Sequence, residues 1–590
     1  MQQSPALELS PVRRPSRPLA VLLACIFAAG GAHALDYAVE IEAPETLAVP
    51  LRKGLNLIRW QGDPQMTPGL LRRLADEAAA DARGVAAAEG YFSPQVRVAI
   101  DESAQPWRVR LQLDPGTRTT VAGVEIRFSG PAADDPQAAA LREQVRKTWS
   151  LRGGAPFRQE DWDAAKRLAV NELSRWRYAA ARIGASEARV DPERSEARLR
   201  VELDSGPPFR FGPVQVSGTE RYPGQIVENL SPVRPGDDYD RAKLTVYQRR
   251  LTETGYFASV QADVEPQPAN ADAAPLRIAV IEAPSKQVES GVSYNTDVGP
   301  RFQLRYSDHD LRDSAWRLRS ALALDTKIQE VKLDLDSPPG PGGRWNNYFG
   351  SAARTSIQNE TARTFSLGVA RNFGTDVAPS AAILSWTLED QSIGRVITDS
   401  RHAVYLGLRR SFRHTDDVVA PRAGYFGSVE VGAGLPGVST EEFVRAVGRG
   451  SYLLPLGRSG DLQLRAQAGV VGSSVRVGIP TTFLFRTGGD TTVRGYAFES
   501  IGVRTADAVV GGRRLFAASA EYTHWLSDTW GVAAFVDAGD AWDKEQRFDA
   551  ALGYGLGVRV RTPIGPGRVD IAYGERTDEY RLHISIGFVF

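Results

Sequence analysis

The 590-residue chain holds one cysteine and two methionines, and neither sign of charge is in excess: 71 Lys and Arg stand against 71 Asp and Glu. The lone cysteine, Cys25, excludes a disulfide framework. It lies in a segment read below as a removable leader, so thiol catalysis and thiolate metal ligation are excluded with it. Charge balance excludes the basic footprint of a nucleic-acid binder. Past residue 34 no stretch approaches the ~20 apolar residues of a membrane-spanning helix, which excludes a multi-helix transporter and leaves a membrane β-barrel open. Catalytic signatures are missing too: the chain has no G-x-S-x-G elbow, no P-loop and no H-E-x-x-H. The histidines beyond residue 34 (His309, His402, His414, His524 and His583) lack metal-ligand spacing. The expectation is a protein that is not an enzyme and carries no cofactor and no metal.

Arg13, Arg14 and Arg17 precede an apolar run from Leu19 to Ala29, followed by Gly30, Gly31 and the small-residue pattern Ala32-His33-Ala34. Residues 1–34 read as a secretory signal peptide cut after Ala34, with Ala32 and Ala34 as the recognised small residues. An uncleaved anchor would need a longer run, and a lipoprotein signal ending at Cys25 would need more apolar residues before it and fewer after.

From residue 35 to about 285, charge-laced helical stretches such as Leu70–Glu89 alternate with short period-two runs such as Gln95–Asp101. The pieces recur in order. Gly90-Tyr91-Phe92, Tyr178 and Gly255-Tyr256-Phe257 each precede a strand run and a second one, and the tyrosines are 87 and 78 residues apart. Three β-α-α-β-β repeats are therefore expected, at residues 35–115, 116–206 and 207–284.

From 285 to 590 strand patterning takes over. Phe365, Leu367 and Val369 alternate with Thr364, Ser366 and Gly368, and Tyr554, Leu556 and Val558 alternate with Gly553, Gly555 and Gly557. Strands of ~9–11 residues, apolar on one face and polar on the other, suit a transmembrane antiparallel β-barrel. Lipid offers backbone groups no partner, so such a sheet must close on itself. At about 19 residues per strand and connection, residues 285–590 allow about 16 strands. Residues Arg581–Phe590 alternate and end on an aromatic, which marks them as the closing strand.

Two segments depart from plain strand. Thr487–Tyr496 is rich in glycine and offers one arginine, Arg494; Phe535-Val536-Asp537-Ala538-Gly539 offers one carboxylate, on the face opposite Val536. The two groups would suit a bidentate pair in the lumen, while a surface loop and a turn aspartate remain the plainer reading.

Val493-Arg494-Gly495-Tyr496 followed by Phe535, Asp537 and Gly539 resembles the signature pair of the outer-membrane assembly superfamily of BamA, TamA and the two-partner secretion transporters. Gly565, Arg568 and Asp570 are similar to a further family stretch near the penultimate strands, and the three repeats look like POTRA domains. The resemblance implies that the first motif sits on a loop folded back into the barrel, where its arginine meets the aspartate of the second. Three repeats resemble the TamA branch, which implies a Gram-negative outer-membrane location with POTRA domains in the periplasm. It also implies a TamB-type inner-membrane-anchored periplasmic partner, outer-membrane and autotransporter clients, and contact with outer-membrane lipid. The implied function is client β-barrel insertion by strand augmentation at a barrel seam made by Val288, Ser290 and Val292 with Ile584, Ile586, Gly587 and Phe590. A secretion pore passing an unfolded polypeptide through the lumen, and a passive porin, are the alternatives.

Overall fold

A computed structural model of the chain describes residues 35–394, 396–417, 421–562 and 565–589. The signal-peptide reading, with Ala32 and Ala34, lies outside the described residues, as does Phe590. Two compact units emerge: one of residues 35–173 and 181–205, the other of residues 174–180 and 206–590.

The first unit contains two small α/β modules. In one, β1 (Tyr37–Glu42), α1 (Glu45–Gly54), α2 (Asn56–Arg59) and α3 (Pro68–Ala88) precede β2 (Gln95–Asp101) and β3 (Trp107–Asp114). The short helix α2 is an addition to the expected β-α-α-β-β plan. Helix α3 starts where Thr67 Oγ1 accepts from the Leu70 N–H at 3.2 Å and Pro68 occupies the first turn. Its buried stripe, Leu71, Leu74, Ala75, Ala78, Ala82 and Ala86, follows helical spacing and faces the sheet residues Val109 and Leu111. The other module runs β4 (Thr120–Ser129), α4 (Ala139–Thr148), α5 (Gln159–Leu173), β5 (Arg182–Asp191), β6 (Glu196–Asp204). In both, the third strand of the module lies in the middle, parallel to the first and antiparallel to the second.

The second unit opens with a module of the same topology: β7 (Phe211–Ser217), α6 (Gly224–Asn229), α7 (Arg241–Glu253), β8 (Phe257–Val264) and β9 (Ala274–Glu282). Phe209, Phe211, Tyr247, Leu251, Leu276 and Ile278 fill its core, and Tyr247 discharges its buried hydroxyl on the Val227 carbonyl at 2.6 Å.

The barrel follows directly. Its strands are β10 (Lys286–Asn295), β11 (Gly299–Leu311), β12 (Trp316–Leu324), β13 (Ile328–Asp336), β14 (Trp345–Ile357), β15 (Glu360–Thr375), β16 (Ala378–Ile393), β17 (Val396–Thr415), β18 (Gly424–Gly434), β19 (Phe443–Leu456) and β20 (Gly460–Gly472). A long connection carries the small hairpin β21 (Val503–Thr505) and β22 (Ala508–Val510). Then come β23 (Arg514–Trp525), β24 (Trp530–Trp542), β25 (Ala551–Thr562), β26 (Gly565–Gly574) and β27 (Glu579–Val589). Among the described residues sixteen of these strands close into one antiparallel barrel, from β10 round to β27, preceded by the three mixed α/β modules.

The period-two pattern resolves as two faces. Phe365, Leu367, Leu406, Leu408, Tyr554, Leu556 and Ile571 stand out from the wall, and Leu556 is 69 % exposed. Exposed apolar side chains on so many strands would aggregate in water and suit hydrocarbon. The alternate positions face inward: Ser366 and Thr387 share a hydroxyl hydrogen bond of 3.0 Å across neighbouring strands. Within this unit the third module is fastened to the barrel by Tyr256, whose hydroxyl donates to the Ala315 carbonyl at 2.6 Å, and by the Arg250–Asp376 ion pair at 2.8 Å.

Candidate functional site

The connection from β20 to β23, residues 473–513, holds the first motif. Three glycines in the wall let its backbone lie against the strands. Val493 packs where Gly539 of β24 has no side chain, since a methyl there would come 2.9 Å from its Cγ2. A methyl on Gly553 of β25 would overlap the carbonyl oxygen of Arg494. Gly495, at φ +91°, itself lies against the backbone of Tyr573 and Gly574 in β26, 2.7 Å from the latter's nitrogen for an added Cβ.

This docking aims Arg494, fully buried, into a charge network. Its Nε and Nη2 donate to the two carboxylate oxygens of Asp537 at 2.7 and 2.9 Å, a bidentate pair, and its backbone N–H donates to Asp537 Oδ2 at 3.1 Å. Nη1 reaches Glu521 at 2.6 Å and Asp570 at 3.3 Å, and Nη2 reaches Ser519 at 3.5 Å. The guanidinium lies 3.4 Å over the Phe535 ring. Arg559 closes the circuit, donating to Glu521 at 2.9 Å and to Asp570 at 2.5 Å. Two arginines thus serve three carboxylates with almost no water access, and Tyr496 adds a hydroxyl bond to the Leu552 carbonyl at 2.9 Å. Removing one member of such a buried network strands its partners, at ~3–5 kcal/mol.

The loop is tied across the seam as well. Asp490 accepts from Asn295 at the end of β10 (2.7 Å) and from Arg568 of β26 (2.5 Å), and its backbone N–H donates to Asp297 at 2.7 Å. The Gly495 N–H donates to His583 Nε2 of β27 at 3.1 Å. A backbone N–H can only donate, so Nε2 carries the lone pair and the proton sits on Nδ1, 3.4 Å from Asp297. A third anchor holds the far wall: Arg486 pairs with Glu360 of β15 at 2.6 Å, and the Thr481 hydroxyl donates to the buried Glu389 of β16 at 2.7 Å. The loop therefore spans the lumen from one wall to the other.

Of the residues singled out in the sequence, the structure brings together Val493, Arg494, Gly495, Tyr496, Phe535, Asp537, Gly539 and Asp570 around one network. Arg568 belongs to the adjoining Asp490 bridge, and Gly565 starts β26, paired with Thr562. At the seam, among the described residues, Gly291–Asn295 pair with β27, Val292 opposite Phe588, Ser293 opposite Gly587 and Tyr294 opposite Ile586. Val288 and Ser290 pair with β11 on their other edge, opposite Tyr306 and Leu304, as all of β10 does; the register would set Ser290 against Phe590, which lies outside the described residues. Ile584 lies just beyond this ladder, its N–H and carbonyl meeting Thr296 at 3.2 Å. Among the described residues the seam has five paired positions, against sixteen between β15 and β16.

Sequence reading missed Glu521, Arg559, Asp490, Asp297 and His583. Strand parity placed Arg559 on the glycine face of Gly553, Gly555 and Gly557, a signal for an inward side chain but not for its partner.

The Omp85 superfamily domain is matched over residues 285–590, and the surface antigen variable number repeat, a POTRA module, over residues 209–283. The chain is similar to the outer membrane protein assembly factor BamA of Neisseria meningitidis serogroup B, 22 % identical over 527 residues that make up 81 % of this chain and 64 % of that protein. It is also similar to the BamA of Nitratidesulfovibrio vulgaris, 22 % identical over 396 residues, 62 % of this chain and 48 % of that one. The chain thus spans less than two thirds of the length of these relatives. In fold it resembles the crystal structure of Haemophilus ducreyi BamA lacking POTRA domains 1–3, with a TM-score of 0.59 at 15 % identity, over 80 % of this chain and all of that one.

Proposed function

The chain belongs to the Omp85 superfamily, as a β-barrel of the Gram-negative outer membrane with periplasmic POTRA domains, and on that premise we propose that it assembles other outer-membrane β-barrels by strand augmentation at its seam. The observation that carries this reading is the short seam. Among the described residues β10 meets β27 at five positions, Gly291–Asn295, whereas β15 and β16 meet at sixteen. Backbone groups left unpaired at hydrocarbon depth cost several kcal/mol each, so an incoming client strand that pairs them gains what lipid cannot supply. No nucleotide is needed if client folding itself drives release. The loop across the lumen favours exit through the wall over passage through the pore. Within the superfamily, three modules of POTRA topology support the TamA branch, with a TamB-type periplasmic partner and autotransporters among the clients.

Disulfide trapping tests the route. The mature chain would have no cysteine, so single cysteines at Ser290 and at Thr491 report alone, each paired with cysteines in the last strand of a stalled autotransporter. Thr491 is exposed and a better lumen reporter than Gly488, whose φ of +106° and closeness to the Ala497 carbonyl resist any side chain. A crosslink at Ser290 without one at Thr491 is expected. A crosslink at Thr491 alone would transfer the function to lumenal secretion, and none at either would leave a passive barrel.

A further inference from the structure

A cavity of about 860 Å³ opens inside the second unit, between α7 of the third module and the inner wall of the barrel, with Thr491 and Thr492 of the lumen loop on its lining. Its lining is rich in arginine. Three carboxylates share it, and each is already committed: Asp336 to Arg319 at 2.9 Å and to Arg317 at 3.4 Å, Asp376 to Arg250 at 2.8 Å, Glu253 to Arg249 at 3.8 Å. Three further arginines have no carboxylate within ion-pair distance among the described residues: Arg413 of β17, Arg449 of β19 and Arg465 of β20. Among the described residues Arg465 reaches only the Ser519 hydroxyl, at 3.0 Å, and its Nε is buried without an acceptor. An orphaned buried donor is unfavourable until an acceptor arrives. Hydroxyls flank the arginines, Ser428 directly opposite Arg449 and Ser451 directly opposite Arg465 in the strand ladders.

We infer that this chamber is a binding site for a phosphate-bearing ligand. Three guanidiniums left over on one cavity wall exceed what a single carboxylate, with one charge and two oxygens, satisfies. A phosphate brings more charge and more acceptors, and it takes guanidinium forks and hydroxyls together. The site adjoins the Arg494 network at Ser519, which both Arg465 and Arg494 reach, but the Arg494 guanidinium is already occupied by Asp537, Glu521 and Asp570. Because Thr491 and Thr492 line the chamber, a bound phosphate would touch the loop beside Asp490, the residue that bridges to Asn295 and Asp297.

The test uses the full chain in uncharged maltoside micelles and titration calorimetry. The probes are sodium pyrophosphate, dihexanoyl phosphatidylglycerol and a hexaglutamate peptide. The variant is Arg413→Gln/Arg449→Gln/Arg465→Gln, with heat-modifiable gel migration to show that its barrel is folded. These positions are lumenal, and the charge-keeping triple lysine variant serves as a second reading if the glutamine one fails to fold. The expected result is phosphate binding that weakens by about tenfold or more in the glutamine variant and by less in the lysine variant. Stronger binding of pyrophosphate than of the lipid would make the natural ligand a soluble phosphate, and the reverse order would make it a lipid headgroup. Equal affinity of wild type and both variants, or no heat with either phosphate probe, would overturn the site. Arginine-dependent binding of hexaglutamate in preference to both phosphates would overturn the ligand class.

Discussion

The third α/β module and the barrel, contiguous in the chain and packed in one unit, are built inside out with respect to each other. In the module, Phe211, Tyr247, Leu251 and Leu276 are buried and charge lies outside. In the barrel, Arg494, Glu389, Asp537 and Asp570 are buried, as is an apolar cluster that includes Tyr405, Phe443 and Phe483, and Leu406, Leu556 and Ile571 stand half exposed or more. The same period-two strand serves both, so the contrast teaches that the surrounding medium decides which face becomes the interior. It also separates two sources of stability: area removed from water in the module, and hydrogen-bonded closure with ionic tethers in the barrel.

Removing one interior residue from each region gives the sharpest test. Arg494→Ala is expected to cost ~3–5 kcal/mol by stranding Asp537, Glu521 and Asp570 around Arg559 alone. The wall ladders are untouched, so the barrel should still show heat-modifiable migration while client assembly falls. Unchanged assembly activity would refute the role given to the network. Leu276→Ala is expected to cost ~2–5 kcal/mol, and limited proteolysis should find the loss in the third module with the barrel band intact. If both variants melted the same region, the two interiors would not be independent.

A smaller effect probes the glycine bed beneath the loop. Gly553→Ala should displace the Arg494 carbonyl and cost ~1–3 kcal/mol, as overpacking does, with increased protease cleavage in residues 473–513. Gly448→Ala is its control: an added methyl there meets only ordinary contacts, the nearest at 3.9 Å. Equal behaviour of the two would mean that the loop is not seated on the wall.

The smallest effect lies at the end of β9, in the module. Burial raises the pKa of Glu282, but the N–H groups of Tyr222, Glu220 and Arg221, at 3.0, 2.9 and 2.8 Å, outweigh it and hold the carboxyl below its ordinary value. A pKa lower in the folded than in the unfolded state stabilises at neutral pH, and that contribution is lost as pH falls through the folded value, beneath the ordinary carboxylate range. Glu282→Gln should therefore flatten the acid limb of the module's thermal stability; an acid limb identical to wild type would remove the cap.

Much of this contrast was legible in the sequence because it is local. Helical spacing in Leu71–Ala86 and strand alternation in Phe365–Val369 each announce a face within a few residues. Parity alone put Asp537 opposite Val536. What was not legible depends on closure and register. That Glu521 and Arg559 share Arg494, or that Asp490 meets Asn295, follows from the stagger of strands far apart in the chain, which hydrophobic pattern does not encode. The pairing of β10 with β27 is likewise a matter of register: Val288 and Val292 look alike as a sequence pattern, and among the described residues it is Val292 that meets the closing strand, opposite Phe588.

The glycines at 539, 553 and 574 have a further consequence for how this chain can change. They form a mould whose relief fits one backbone trace, that of Val493–Gly495. Loop and wall therefore cannot drift separately: a methyl gained on the wall demands a new path for the loop, and a loop grafted from a distant relative will seat only if its matching glycines travel with it. Chimeras that exchange residues 473–513 alone should close as barrels and leave the graft unmoored, whereas those that also carry β24 to β26 should restore it.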